Sequence, residues 1–228
     1  MRSSYENFLR RLCQYRVYLN LTQEETGNKL GITQSQFSKM ELGKVIVPNK
    51  ALALLSAMGW DINFLFTGKK SHASVSELGI LVDGEGQDYR KLLGIIALFL
   101  EQGIEKCADQ VSLEARCEIE ILKRRAEGGA SESVLYEIRK IAGIAQIPMA
   151  EKLGVNIKKY RMLEKKQTAP DAELLLRIYE VTGCKPSLLL DNGHVEKMII
   201  DELWGQLTLP VQKEILALAK QVDCFFKM

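Results

Sequence analysis

Residues 22–43 read Thr-Gln-Glu-Glu-Thr-Gly-Asn-Lys-Leu-Gly-Ile-Thr-Gln-Ser-Gln-Phe-Ser-Lys-Met-Glu-Leu-Gly. Thr22 followed by Glu25 is a capping box, in which the hydroxyl accepts from the third helical N–H and the carboxylate reaches back to the cap. A helix is therefore expected to start at Gln23. Gly31 stands where the chain must leave that helix with positive φ, which a residue without Cβ does at no steric cost. Thr33 with Gln36 repeats the capping pattern and opens a second helix. In it Phe37 and Met40 face inward, while Gln34, Ser35, Ser38 and Lys39 form a polar outward face.

The stretch resembles the helix-turn-helix of Cro/Xre-type phage and bacterial repressors. The residues that carry the likeness are Thr22-Gln23, the small Gly27 at the helix crossing, Gly31 in the turn, and Glu41 with Gly43 closing the second helix. The match runs from about Phe8 to Gly68. Arg16 lies seven residues before Gln23, where the family carries an arginine paired with the glutamate matching Glu41, so the resemblance implies an Arg16–Glu41 ion pair. Reading bases in the major groove takes side chains with paired donors and acceptors, such as Gln for adenine and Lys for guanine. Gln34, Ser35, Ser38 and Lys39 supply those types, in the order of the family's contact residues. Gln23, at a helix N-terminus, and Lys44 are expected to meet phosphates.

Around the motif, Phe8, Leu12, Tyr15 and Leu19 space an amphipathic first helix. Pro48 can open a fourth helix at its first position, Gly59 ends it, and Trp60 to Phe66 forms a short fifth. The expected fold is all-α, with a lambda-repressor-like five-helix domain over 1–70.

From Val134 the pattern begins again at a constant spacing of 123 residues. Arg139 falls on Arg16, Gln146 on Gln23, Leu153-Gly154-Val155 on Leu30-Gly31-Ile32, Tyr160 on Phe37 and Glu164 on Glu41. Beyond Glu164 the register slips, with Pro170 answering Pro48 and Gly183 answering Gly59. A second helix-turn-helix domain is expected over 133–193, with its own Arg139–Glu164 pair. It departs from the first in three ways. Ala145 replaces the capping threonine, Pro148 restrains Ile147 so that the helix is expected to begin late, and Ile157, which cannot hydrogen-bond a base, stands at the position of Gln34. Lys158, Lys159, Arg161, Lys165 and Lys166 surround it, a face suited to phosphates more than to sequence.

The chain of 228 residues carries a net +2, but the charge is divided: +5 over 1–70, −5 over 71–133, +3 over 134–193 and −1 over 194–228. Two basic units separated by an acidic one suit a polyanion at the first and third segments. The five cysteines contain no Cys-x-x-Cys pair and fit a reducing cytoplasm. The N-terminal residues show no apolar run of a secretory signal, and the apolar stretch Leu92 to Leu100 is half the length of a membrane span.

Residues 71–132 are expected to form a linker and a helical hairpin broken near Val111, with Ser112 capping its second helix. In the linker, Asp83-Gly84-Glu85-Gly86 lacks the spacing of a calcium or phosphate loop. Residues 194–228 read as a tail with one helix over Lys213 to Val222, whose rhythm repeats that of Lys91 to Leu100. The apolar sets of these two helices exceed what short segments can bury, which points to a homodimer. His72 and His194 read as solvated residues. Ala142-Gly143 resembles the self-cleavage dipeptide of some repressors but falls inside an expected helix. The sequence shows no catalytic signature, metal or cofactor site. The expectation is a cytoplasmic, sequence-specific regulator of transcription that binds double-stranded DNA, most simply a repressor. The competing class is a helical adaptor or antitoxin-like partner that binds protein.

Overall fold

A computed structural model describes residues 2–71, 75–82, 87–128, 133–190 and 194–226. Every regular element among them is helical. Asp83-Gly84-Glu85-Gly86 and His72 lie outside the described residues.

The first unit comprises α1 (Arg2–Tyr18), α2 (Gln23–Leu30), α3 (Gln34–Glu41), α4 (Asn49–Ala57) and α5 (Ile62–Thr67). Both expected capping boxes are formed, at Thr22 and at Thr33. Gly31 leaves α2 at φ 69°. At Gly27 an added Cβ would lie 3.0 Å from the Ile32 carbonyl oxygen, so only a small residue lets the turn fold back on α2. Pro48 is the cap of α4 and not its first residue, because its ψ of 157° is extended.

The connecting elements are α6 (Glu77–Leu81), α7 (Gln87–Cys107) and α8 (Leu113–Ala126). Ser112 caps α8 as expected, accepting from the Ala115 N–H. The second unit comprises α9 (Val134–Ile141), α10 (Gln146–Lys152), α11 (Ile157–Glu164), α12 (Ala172–Thr182) and a 3₁₀ turn at Pro186–Leu189. α9 stops at Ile141 and Gly143 turns the chain at φ 64°, so Ala142-Gly143 lies at a helix end and not within a helix. The chain closes with two helices, α13 (Val195–Trp204) and α14 (Leu209–Phe226), where one was expected.

Three apolar clusters hold these elements. One lies inside α1–α5 and also takes in Ala172, Leu175 and Leu176 of α12. A small one lies inside α9–α12. The largest joins α6, α7, α8, α9, α13 and α14. In that cluster Leu93, Ile96, Ala97 and Leu100 of α7 are fully enclosed, and Ile215 and Ala219 of α14 are buried beside them. Val222 and Phe226 pack onto the same cluster. At Gly103 the helices approach so closely that a Cβ would sit 2.8 Å from the Ile215 Cδ1.

The two apolar sets that pointed to a homodimer therefore largely cover each other within one chain. The argument for a homodimer from these two sets counted each helix as alone, whereas a distant segment of the same chain buries much of that surface. Of the apolar residues Ile215, Leu218, Val222 and Phe226 that the sequence sets along α14, Leu218 stays exposed, at 46%.

Ion pairs tie the clusters together. Lys185 Nζ lies 2.9 Å from Glu118 Oε1 and 2.9 Å from Glu202 Oε1, joining the second unit to α8 and α13. Arg125 bridges Glu137 at 3.1 Å and Glu196 at 2.8 Å.

Candidate nucleic-acid interface

The geometry of the first unit is set by Glu41, whose side chain is 4% exposed. Arg16 donates to it through Nε at 2.7 Å and through a second nitrogen at 3.3 Å, and gives its remaining branch to the Leu21 carbonyl at 2.7 Å. The bond to Glu41 raises the Arg16 pKa, so the guanidinium stays charged. Gln23 Nε2 donates to the other Glu41 oxygen at 2.7 Å. Gln23 Oε1 in turn accepts from Gln34 Nε2 at 2.9 Å. A buried ion pair thus fixes one glutamine, and that glutamine fixes the first side chain of α3.

The second unit repeats the centre of this cluster. Arg139 Nε donates to Glu164 at 2.5 Å and its other branch to the Ile144 carbonyl at 3.1 Å. Gln146 Nε2 donates to Glu164 at 2.6 Å. Tyr160, in the place of Phe37, adds a phenol bond to Glu164 at 2.9 Å. Burial and that bond raise the Tyr160 pKa, so the hydroxyl remains a donor. α10 begins at Gln146, in register with α2, and the late start expected from Pro148 does not occur. Pro148 falls within the first turn, where its missing N–H would have no intrahelical partner anyway. Ile157 is half-buried against the unit's own core.

The backbone shows the same correspondence. Positive φ occurs at Asn20, Gly31, Gly43 and Gly59, and again at Gly143, Gly154, Lys166 and Gly183. The first three pairs keep the spacing of 123 residues. The start of α4 at Asn49 and of α12 at Ala172 keeps it too, so Val47 and not Pro48 is the counterpart of Pro170. The slip past Glu164 comes later than expected, within α12.

Gln34, Ser35 and Lys39 are exposed on α3 and Ser38 is half-buried. Lys44 is exposed on the turn after α3. Lys158, Lys159, Arg161 and Lys165 are exposed on and after α11. Among the described residues Lys39, Lys44, Lys158, Lys159 and Lys165 form no ion pair. The side chain of Gln23, expected to meet a phosphate, is bonded to Glu41 and to Gln34. Arg161 is held in a similar way. Its Nε donates to Gln146 Oε1 at 3.2 Å, the same acceptor that Gln34 uses in the first unit. The signal that could have found this is the register itself, since Gln146 falls on Gln23.

The sequence model of the helix-turn-helix family matches residues 135–189. Residues 135–189 are a helix-turn-helix unit. It spans α9 to the 3₁₀ turn, with α10 and α11 as its two paired helices. No curated protein matches the chain, and no solved structure matches it. The helix-turn-helix match points to a DNA-binding regulator. No helix among the described residues is long and apolar enough to cross a membrane.

Proposed function

We propose that the chain is a sequence-specific regulator of transcription that binds double-stranded DNA in the cytoplasm, acts without catalysis, and works as a repressor. One observation carries this reading. The Arg–Glu–Gln cluster that braces the helix-turn-helix of residues 135–189 recurs around Arg16, Glu41 and Gln23 in the first unit.

On this reading the first unit is a second helix-turn-helix domain of the lambda-repressor-like kind, and α3 enters the major groove. Gln34 presents an amide that can pair with an adenine edge, and Lys39 can donate to guanine, while Ser35 and Ser38 accept or donate beside them. Lys44, Lys158, Lys159 and Lys165 neutralise phosphates and hold the register on the duplex.

The test is a binding titration of the full chain on a duplex enriched from a random pool, at two salt concentrations. Phosphate contacts release counterions, so affinity should fall steeply as salt rises. An affinity that is indifferent to salt, or no enriched duplex, would overturn the DNA-binding reading in favour of the protein-binding adaptor.

A further inference from the structure

Two hydrogen bonds between the two units are reciprocal. The Ala172 N–H donates to the Val47 carbonyl at 3.0 Å, and Asn49 Nδ2 donates to the Pro170 carbonyl at 3.2 Å. At the spacing of 123 residues Asn49 answers Ala172 and Val47 answers Pro170, so each unit offers the other the same two positions. Farther along, the Ser187 N–H donates to Asn63 Oδ1 at 3.2 Å, and these two are themselves equivalent at a spacing of 124. Residues that meet their own equivalents lie on an axis of two-fold symmetry, and reciprocal pairs lie to either side of it.

The helices beyond each unit obey the same axis. α5 packs on the 3₁₀ turn that answers it, α6 packs on α13, and α7 packs on α14. α14 also crosses to α6, as α7 crosses to α13. Among the described helices α8 alone has no counterpart.

Resting on the DNA-binding reading above, we infer that one chain is a complete two-fold reader, with α3 and α11 set about an internal axis so that a single molecule reads one DNA site of two unlike half-sites. The placement follows from the connections. α3 leads to Val47 and α11 leads to Pro170 through segments of equal length, and these two positions lie to either side of the axis, so the axis relates the two helices as well. A two-fold reader places its helices one turn of DNA apart, about 34 Å or about 10 base pairs.

The half-sites differ because the two faces differ. In the first, Gln23 holds Gln34, whose amide suits adenine. In the second, Ile157 is half-buried and cannot take that role. The braced side chain there is Arg161, which Gln146 holds at 3.2 Å. A guanidinium braced through Nε keeps its two terminal nitrogens for the paired acceptors of guanine. Arg161 therefore reads a base in the second half-site, while Lys158, Lys159 and Lys165 around it hold phosphates.

The test uses the full chain and duplexes enriched from a random pool. The expected complex holds one chain per duplex, with protection over two unlike half-sites whose centres lie about 10 base pairs apart. Inserting about 5 base pairs between them puts the half-sites on opposite faces of the duplex and should abolish joint protection. Arg161→Lys keeps the charge but loses the paired donors. It should weaken binding roughly ten- to hundred-fold on the enriched site and erase the guanine preference in one half-site only. Gln34→Ala should relax the other half-site alone. Two chains on a palindrome, or one chain protecting a single half-site, would overturn the internal pairing while leaving DNA binding intact. A guanine preference that survives in Arg161→Lys would overturn the assignment of Arg161. Failure to enrich any duplex would instead overturn the DNA-binding reading itself.

Discussion

Gln23 and Gln34 are joined by a 2.9 Å bond, and Glu41 holds Gln23 from the other side at 2.7 Å. The first polar side chain of α3 is thus positioned by a carboxylate seven residues farther along, itself neutralised by Arg16. Stability and orientation share one cluster.

Glu41→Ala should therefore cost about 3 kcal/mol or more, because it strands the largely buried Arg16 guanidinium. Glu164→Ala should cost at least as much, since Glu164 is 3% exposed and also anchors Tyr160. Urea denaturation of each variant checks this. A midpoint equal to that of the unmodified chain would refute the bracing role.

Gln34→Ala or Lys39→Ala should cost about 1–3 kcal/mol on the preferred duplex and much less on unrelated DNA. Lys158→Ala or Lys159→Ala should weaken binding to all sequences alike and lower the salt slope by about one unit. Titrations on matched and scrambled duplexes separate the two behaviours. A Lys158 variant that shifts the preferred sequence would contradict its phosphate role.

With the apolar stripe of α7 covered by α14, the chain should sediment as one molecule into the micromolar range. Leu93→Ala, at a position with no exposure, should cost about 2–5 kcal/mol through the lost transfer energy and the cavity left behind. It should not change the mass. A concentration-dependent rise in mass for the unmodified chain would show that a face other than this one associates.

Burial pushes the Glu118 pKa up to about 7, against the pull of Lys185. The ordinary value is 4.5, so the folded chain holds a proton that the unfolded chain releases first. The stability it contributes is whole below about pH 4.5 and is lost as pH rises through about 7. Glu118→Gln removes the titrating group and leaves Lys185 its bond to Glu202. The fall in Tm between pH 5 and pH 8 should then be smaller in the variant. Parallel curves for the two proteins would rule this out.

What the sequence disclosed was mostly local. Thr22 and Glu25, or Gly31 with its missing Cβ, act within one turn of chain, so their pattern already contains their partners. The Arg16–Glu41 and Arg139–Glu164 pairs are distant in sequence but became legible through the family resemblance and the recurrence at fixed spacing. The covering of α7 by α14 was not legible, since nothing in either helix names its partner across 100 residues of chain. The roles of Gln23 and Gln146 were hidden for a related reason. An amide at a helix start looks the same whether it turns outward to a phosphate or inward to a carboxylate, and only the position of Glu41 or Glu164 decides. Pro148 misled because its restraint on the preceding residue was weighed without its tolerance in a first helical turn.

The bonds from Val47 to Ala172 and from Asn49 to Pro170 lie within a single polypeptide, so dilution cannot part the partners they join. Their local concentration is set by the connecting chain and not by how many copies a cell holds. Thermal unfolding should then occur at the same temperature in dilute and concentrated solution, unlike that of an assembly held together by mass action. A gene encoding such a chain can also alter one half without altering the other, a freedom that two identical subunits never have.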